Sequence, residues 1–279
     1  MIELIQFIEF HPYPYDIIST CIRSKLSITN MDQDKVLNSK YRIVIGNKRY
    51  SSWSLRGWLC LYHCLESNKE IDEIMCKLAG ADSSDEEKMS IKKQLLEHSP
   101  SGKVPALIDN ELGIVVYDSL AICLHLALKH PQTKLLPTSS VERGLCLSAA
   151  AEMHSGFTSL RSHWPMIHPA IGKKHFQATI NDVQEDIKRL DTLWAQLRSE
   201  YGEKLNGPFL FGICTLCDIM FAPVAIRFKT YDPDLTTLSP ISQSYVLSLY
   251  SLEGVQEWIK AASLEDESFR ISSYEKYID

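Results

Sequence analysis

The sequence is short of several things, and each shortage closes a functional class. No uninterrupted apolar stretch reaches the roughly 18 residues needed to cross a bilayer, so a membrane protein is not expected. There is no basic excess: 29 Lys+Arg stand against 35 Asp+Glu, a formal net charge of −6. Nonspecific nucleic-acid affinity rests on Lys and Arg, so nucleic acid is not an expected partner. The opening MIELIQFIEF carries Glu3 and Glu9 and no positive n-region, and does not read as a signal peptide. The nine histidines contain no HExxH or other tight ligand pair, and no metal is expected. Internal repeats and low-complexity tracts are also missing.

What remains is a chain of 279 residues, 45% hydrophobic and 23% charged, with enough length for two modest domains. Four of its eight cysteines, Cys60, Cys64, Cys123 and Cys146, fall in apolar helix-like segments, where a free thiol behaves as a small hydrophobe. Free thiols and the lack of an export signal point to the reducing cytoplasm.

Residues 1–40 show no sustained period, mixing the turn-rich HPYPYD with the polar NMDQDKVLNSK. They read either as an N-terminal arm or as sequence upstream of a start at Met31. From Tyr41 the signals sharpen. YRIVIG predicts a strand, and WSLRGWLCLYHCLE a helix with apolar spacing at Trp53, Leu55, Leu59, Tyr62 and Leu65. EIDEIMCKL predicts a second strand and IKKQLLEHS a short helix. VPALID and IVVYD, joined by NELG, predict a hairpin, and SLAICLHLALKH a helix beginning at Ser119 and stopped by Pro131. The order β-α-β-α-β-β-α over 41–130 predicts an α/β domain of thioredoxin type. Residues 131–140 read as a linker. From 141 to 265 only helical patterns occur, over about 141–162, 173–201, 215–230 and 241–262, predicting an all-α domain; 266–279 read as a tail.

Three loop-to-helix or loop-to-strand junctions carry candidate chemistry. Ser51 and Ser52 open the first helix, where unpaired amides and the helix dipole favour an anion such as a thiolate. A serine there also serves as an ordinary N-cap. Pro105, after the SGK turn, suits a cis peptide that turns the preceding backbone toward an extended peptide, or an ordinary edge-strand proline. Asp118 and Ser119 open another helix, which suits a carboxylate or a plain helix start. His154, His163 and His168 cluster in HSGFTSLRSHWPMIH and read as core or hydrogen-bonding residues. Cys214 and Cys217 form a lone CxxC, half a zinc site at most. Thr215 and Asp218 account for that segment more simply as a capping box.

In the segments GNKRYSSWSLRGW, SPSGKVPALID, VVYDSLAICLHLA, AAEMHSGFTSLRSHWPM and FLFGICTLCDIMFAPVAIRFKTY, the chain resembles the glutathione S-transferases over about Tyr41 to Glu265. The serine junction is most similar to the zeta-like bacterial branch with its Ser-Ser-x-Ser run. The resemblance implies a thioredoxin-like domain followed by an all-helical one, a homodimer, and glutathione as co-substrate. It implies Ser51 as the thiolate-assisting residue with Ser52 as its rival, Val104 pairing glutathione through its backbone beside a cis Pro105, Asp118 and Ser119 at the γ-glutamyl end, and Lys103 at the glycyl carboxylate. For the electrophile pocket it implies Trp53, Phe157, Arg161, Trp164, Met166, Arg227 and Tyr231, with Phe228 beside them.

The sequence departs from that pattern at Trp53, where the zeta class has Cys, and at Gly57, where bacterial relatives carry Pro. Residues 1–40 have no counterpart. The activities implied are conjugation of glutathione to small electrophiles, glutathione-dependent cis-trans isomerisation, or a non-catalytic binding module.

Overall fold

The computed structural model describes residues 39–65, 71–168 and 180–275. The expectations for residues 1–38, for the start of the helix at 173 and for 276–279 lie outside these. The first half is a four-stranded sheet with helices on both faces: β1 (Tyr41–Gly46), α1 (Ser52–Cys64), β2 (Asp72–Cys76), α2 (Asp85–His98), β3 (Ala106–Asp109), β4 (Ile114–Tyr117) and α3 (Ser119–Lys129). Spatial order is β2-β1-β3-β4. β1 and β2 run parallel, as a helical crossover requires, while β1–β3 and β3–β4 are antiparallel.

The period of two along β1 divides the layers. Ile43 and Ile45 pack with Leu55 and Leu59 of α1 and Ile122 and Leu126 of α3. Val44 points the other way, onto Ile91 and Leu95 of α2. This is the thioredoxin-like arrangement expected from the element order. Helix α2 begins earlier than the apolar pattern suggests. Ser84 accepts from the Glu87 amide, and Asp85, Glu86 and Glu87 sit at the positive end of the helix, so the polar run ADSSDEE starts the helix rather than interrupting it.

The second half is helical: α4 (Ser140–Ser155), α5 (Thr158–His163), α6 (Ile180–Leu197), α7 (Leu216–Tyr231), α8 (Pro240–Tyr250) and α9 (Glu253–Ser263), followed by α10 (Ser272–Glu275). Two expected long helices are each two. The first breaks where Gly156 closes α4 on the Glu152 carbonyl and Phe157 takes a left-handed φ of 52°. The second breaks at Ser251–Leu252. Helix α7 is buried on nearly every face, which makes it the axis of this half. Trp194 of α6 meets Phe221, Phe228 and Tyr245 edge-on around it.

The expected capping box is formed at the start of α7. Asp218 accepts from the Thr215 amide at 2.8 Å, the Leu210 amide at 3.2 Å and Tyr245 Oη at 2.8 Å. Cys214 and Cys217 are buried here, and burial pushes both thiols well above their ordinary value, which leaves them unreactive. All seven described cysteines are free.

The two halves are joined by polar contacts as well as packing. Arg56 Nε of α1 donates to the Met220 carbonyl of α7 at 2.9 Å, and Trp258 Nε1 donates to the Lys48 carbonyl at 3.0 Å. Beyond α9 the chain returns to the sheet half. The Glu265 carboxylate accepts from the Lys48 amide at 2.6 Å, Asn47 Nδ2 donates to the Phe269 carbonyl, and the Ile271 amide donates to Tyr50 Oη. Tyr274 stacks on Tyr50 with ring centroids 5.2 Å apart. The expected tail is thus, as far as Tyr274, a strap over the loop that leads into α1.

Candidate functional site

The three junctions singled out in the sequence converge. Gly57, one turn into α1, lies so close to the loop before β3 that an added Cβ would stand 3.1 Å from Pro105 Cγ and 3.6 Å from Ile122 Cδ1 of α3. A proline or any larger side chain at 57 would have to displace that loop, so glycine here is the condition of a close approach. The Val104–Pro105 peptide is cis. Val104 lies outside the sheet ladder, which begins at Ala106, so the ladder does not use its amide and carbonyl. Lys103 is exposed beside it.

At the start of α3, Asp118 holds a φ of 78°, a conformation that costs a non-glycine residue about 1–3 kcal/mol and recurs at ligand clamps. Its Oδ1 accepts from the amides of Leu120 and Ala121, and its Oδ2 lies 3.4 Å from His154 Nε2. Ser119 is buried, and its Oγ has no hydrogen-bond partner among the described residues. Buried hydroxyls usually have a partner, and this one is left able to take one.

The two serines of α1 differ in what their hydroxyls do. Ser51 is the N-cap: its Oγ accepts from the Ser54 amide at 3.2 Å and donates to Ser54 Oγ at 2.7 Å. Ser54 Oγ in turn accepts from the Gly46 amide, locking the cap to the end of β1. The Ser51 proton is therefore spent inside the fold. Ser52 Oγ accepts from Arg227 Nη2 at 3.2 Å and, among the described residues, donates to nothing. Its proton is free, and a cation stands behind its oxygen.

Arg227 crosses from α7 and is 4% exposed. Besides Ser52 it reaches the carbonyls of Arg161 and Trp164. Burial, reinforced by the nearby Arg161 charge, lowers it to about 10. Arg56 is 1% exposed, and burial followed by the charges of Arg227 and Arg161 lowers it to about 9. Its Nη1 has no partner among the described residues.

Trp53, half-buried, ties the cluster together. Its ring centroid lies 4.7 Å from the Arg56 guanidinium carbon, 5.4 Å from that of Arg161 and 5.2 Å from the His154 ring, which meets it edge-on. Arg161 Nη1 donates to the His154 carbonyl at 3.2 Å.

Among the residues expected to line an electrophile pocket, Trp53, Arg161 and Tyr231 keep some exposed surface. Phe157, Trp164, Met166, Arg227 and Phe228 do not: Trp164 is 1% exposed, stacked on Tyr231 and edge-on to Phe228. These five form the packed layer behind the site, as stripes of aromatics and Met commonly do. Sequence reasoning missed Arg56; it read His154 as a core or hydrogen-bonding residue, and the ring packs on Trp53 with Nε2 beside Asp118. The available signal was an arginine at a position of α1 where the pattern wants an apolar side chain.

Residues 50–129 match the family model described as Glutathione S-transferase, N-terminal domain. No curated protein matches the chain by sequence. Solved structures resemble it in fold. A glutathione transferase homolog from Burkholderia gl BGR1 with bound glutathione is 16% identical, with a TM-score of 0.56 over 81% of this chain and 99% of that one. Glutathione transferase Omega 2C from Trametes versicolor is 16% identical, with a TM-score of 0.55 over 85% and 99%. Glutathione transferase F2 from Populus trichocarpa is 18% identical, with a TM-score of 0.56 over 81% and 100%. Among the described residues no group of His, Cys, Asp and Glu could hold a metal, and no helix is long and apolar enough to cross a membrane.

Proposed function

We propose that this chain, whose residues 50–129 match the glutathione S-transferase N-terminal domain model, binds reduced glutathione and adds its sulfur to a small electrophile. The observation that carries the reading is the free hydroxyl of Ser52 at the start of α1, backed by Arg227. A thiolate seated there accepts from Ser52 Oγ and meets the positive end of the helix dipole. Both lower the thiol pKa from its reference near 8.5. The proton leaves to solvent, the sulfur forms a C–S bond to the electrophilic carbon, and the leaving group departs with the bonding electrons.

The hydrogen bonds favour Ser52 over Ser51 for this role and give Ser51 the cap. Val104 supplies backbone groups for the cysteinyl portion. Asp118 and Ser119 take the γ-glutamyl end, and Lys103 the glycyl carboxylate. The unpartnered Ser119 hydroxyl and the strained Asp118 backbone support that clamp. The same reading carries a cytoplasmic homodimer, for which the exposed Ile114, Tyr117, Leu128, Val141 and Leu145 offer apolar surface; sedimentation tests the dimer.

Retention on immobilised glutathione, with elution by free glutathione, is the direct test. Passage without retention removes the proposal. Retention without turnover of any aromatic halide or maleyl diacid would leave a binding module.

A further inference from the structure

Two guanidinium groups, of Arg56 and Arg161, face the Trp53 ring and a third, of Arg227, reaches the adjacent Ser52; among the described residues none of the three forms an ion pair with a carboxylate. Arg56 donates to one carbonyl and leaves Nη1 unpartnered while 1% exposed. Arg227 bonds only neutral oxygens, of Ser52, Arg161 and Trp164. Arg161, half-buried, gives Nη1 to the His154 carbonyl. Desolvated cations without counter-charge are costly, and native proteins rarely leave them so.

The acids in the neighbourhood are few. Asp118 acts on Arg56 from a distance, but its two oxygens are engaged by the α3 amides and His154. Asp186 acts on Arg161, but its carboxylate accepts from the Leu160 amide. Neither acid forms an ion pair with a guanidinium, so among the described residues the three cations have no contacting counter-charge.

From these unpaired cations we infer that the second substrate is an anion, an electrophile carrying a carboxylate or similar group that Arg161 receives beside Trp53. Arg161 is the member of the trio with surface to offer. Arg56 and Arg227, fixed behind it, supply long-range attraction in a low-dielectric setting where it is little screened. The inference rests on the glutathione reading for the position of the sulfur, but not for the existence of the anion site.

Calorimetric titration of the full chain with para-nitrobenzoate and with its methyl ester separates the two questions, each done with and without saturating S-methylglutathione. The acid is expected to bind in both conditions and the ester at least about tenfold more weakly, the scale of one lost hydrogen bond to a charged group. Arg161→Gln should weaken the acid by a similar factor and leave the ester unmoved, while Arg161→Lys restores part of the preference. Equal binding of acid and ester, or no effect of Arg161→Gln in a protein whose melting is unchanged, overturns the inference. So does competitive displacement of the acid by S-methylglutathione, because the cations then belong to the tripeptide. If S-methylglutathione does not bind at all, the glutathione reading fails, and the contrast between acid and ester still decides the anion site.

Discussion

Removing one hydroxyl at a time from the start of α1 separates two roles that neighbouring serines could exchange. Ser52→Ala takes away the donor proposed for the sulfur. A hydrogen bond to a charged group contributes about 1.5–3 kcal/mol, and at about 1.4 kcal/mol per unit this raises the bound thiol by about 1–2 pKa units. Below the thiol pKa the thiolate fraction falls tenfold per unit, so at a pH below the wild-type value it drops about 10- to 100-fold, and turnover with it. Ser52→Thr, which keeps a hydroxyl, should retain most of both.

Ser51→Ala removes instead an N-cap whose oxygen serves the Ser54 amide. It should lower unfolding free energy by about 0.5–2 kcal/mol while the bound thiol titrates as before. Ultraviolet titration of glutathione bound to each variant, alongside chemical denaturation, reads both quantities. A raised thiol pKa in Ser51→Ala with none in Ser52→Ala refutes the assignment and the hydrogen-bond reasoning behind it.

Other substitutions probe the supports of the site. Thr215→Ala, which dismantles the α7 capping box, should cost about 0.5–2 kcal/mol by denaturation and leave glutathione affinity unchanged at permissive temperature. Gly57→Ala should fail to gain the helix-propensity benefit of about 1 kcal/mol, because the methyl presses on Pro105, and should weaken retention on immobilised glutathione. Burial pushes the Asp109 carboxyl up, but hydrogen bonds from Lys129, His125 and the Leu112 amide outweigh it and hold it below the ordinary carboxylate range. A depressed folded pKa stabilises above the unfolded value near 3.9 and loses that stabilisation as pH falls through the folded one. Asp109→Asn should therefore be less stable at neutral pH, with a flatter stability profile below about pH 4; an unaltered acid limb in the variant would contradict the pairing.

The sheet half was legible because its signals are local. β1 alternates between its two faces, Pro131 stops α3, and NELG is a turn between apolar runs. The Thr215–Asp218 box was legible for the same reason, its two partners being three residues apart. The helix α2 start was hidden because its cap and acidic first turn are polar, as a loop is. The breaks at Phe157 and Leu252 were hidden because apolar spacing continues across them while the backbone does not.

The site was half legible. The junction residues are marked by their position in the sequence, yet the choice between Ser51 and Ser52 depends on Arg227, 175 residues away from Ser52. No spacing within the first helix carries that information. The distinction between a pocket wall and packed core at Trp164 or Met166 likewise depends on what the opposite helix places against them.

The strap from Glu265 to Tyr274 has a bearing on how the protein matures. Tyr50 waits for Ile271, 221 residues downstream, a delay of about 10–45 s at ordinary rates of synthesis. During that interval the loop ahead of α1 lacks the contacts that the strap supplies. A chain cut ahead of Glu265 would thus lack the hydrogen bonds that hold the loop before α1 from its second side.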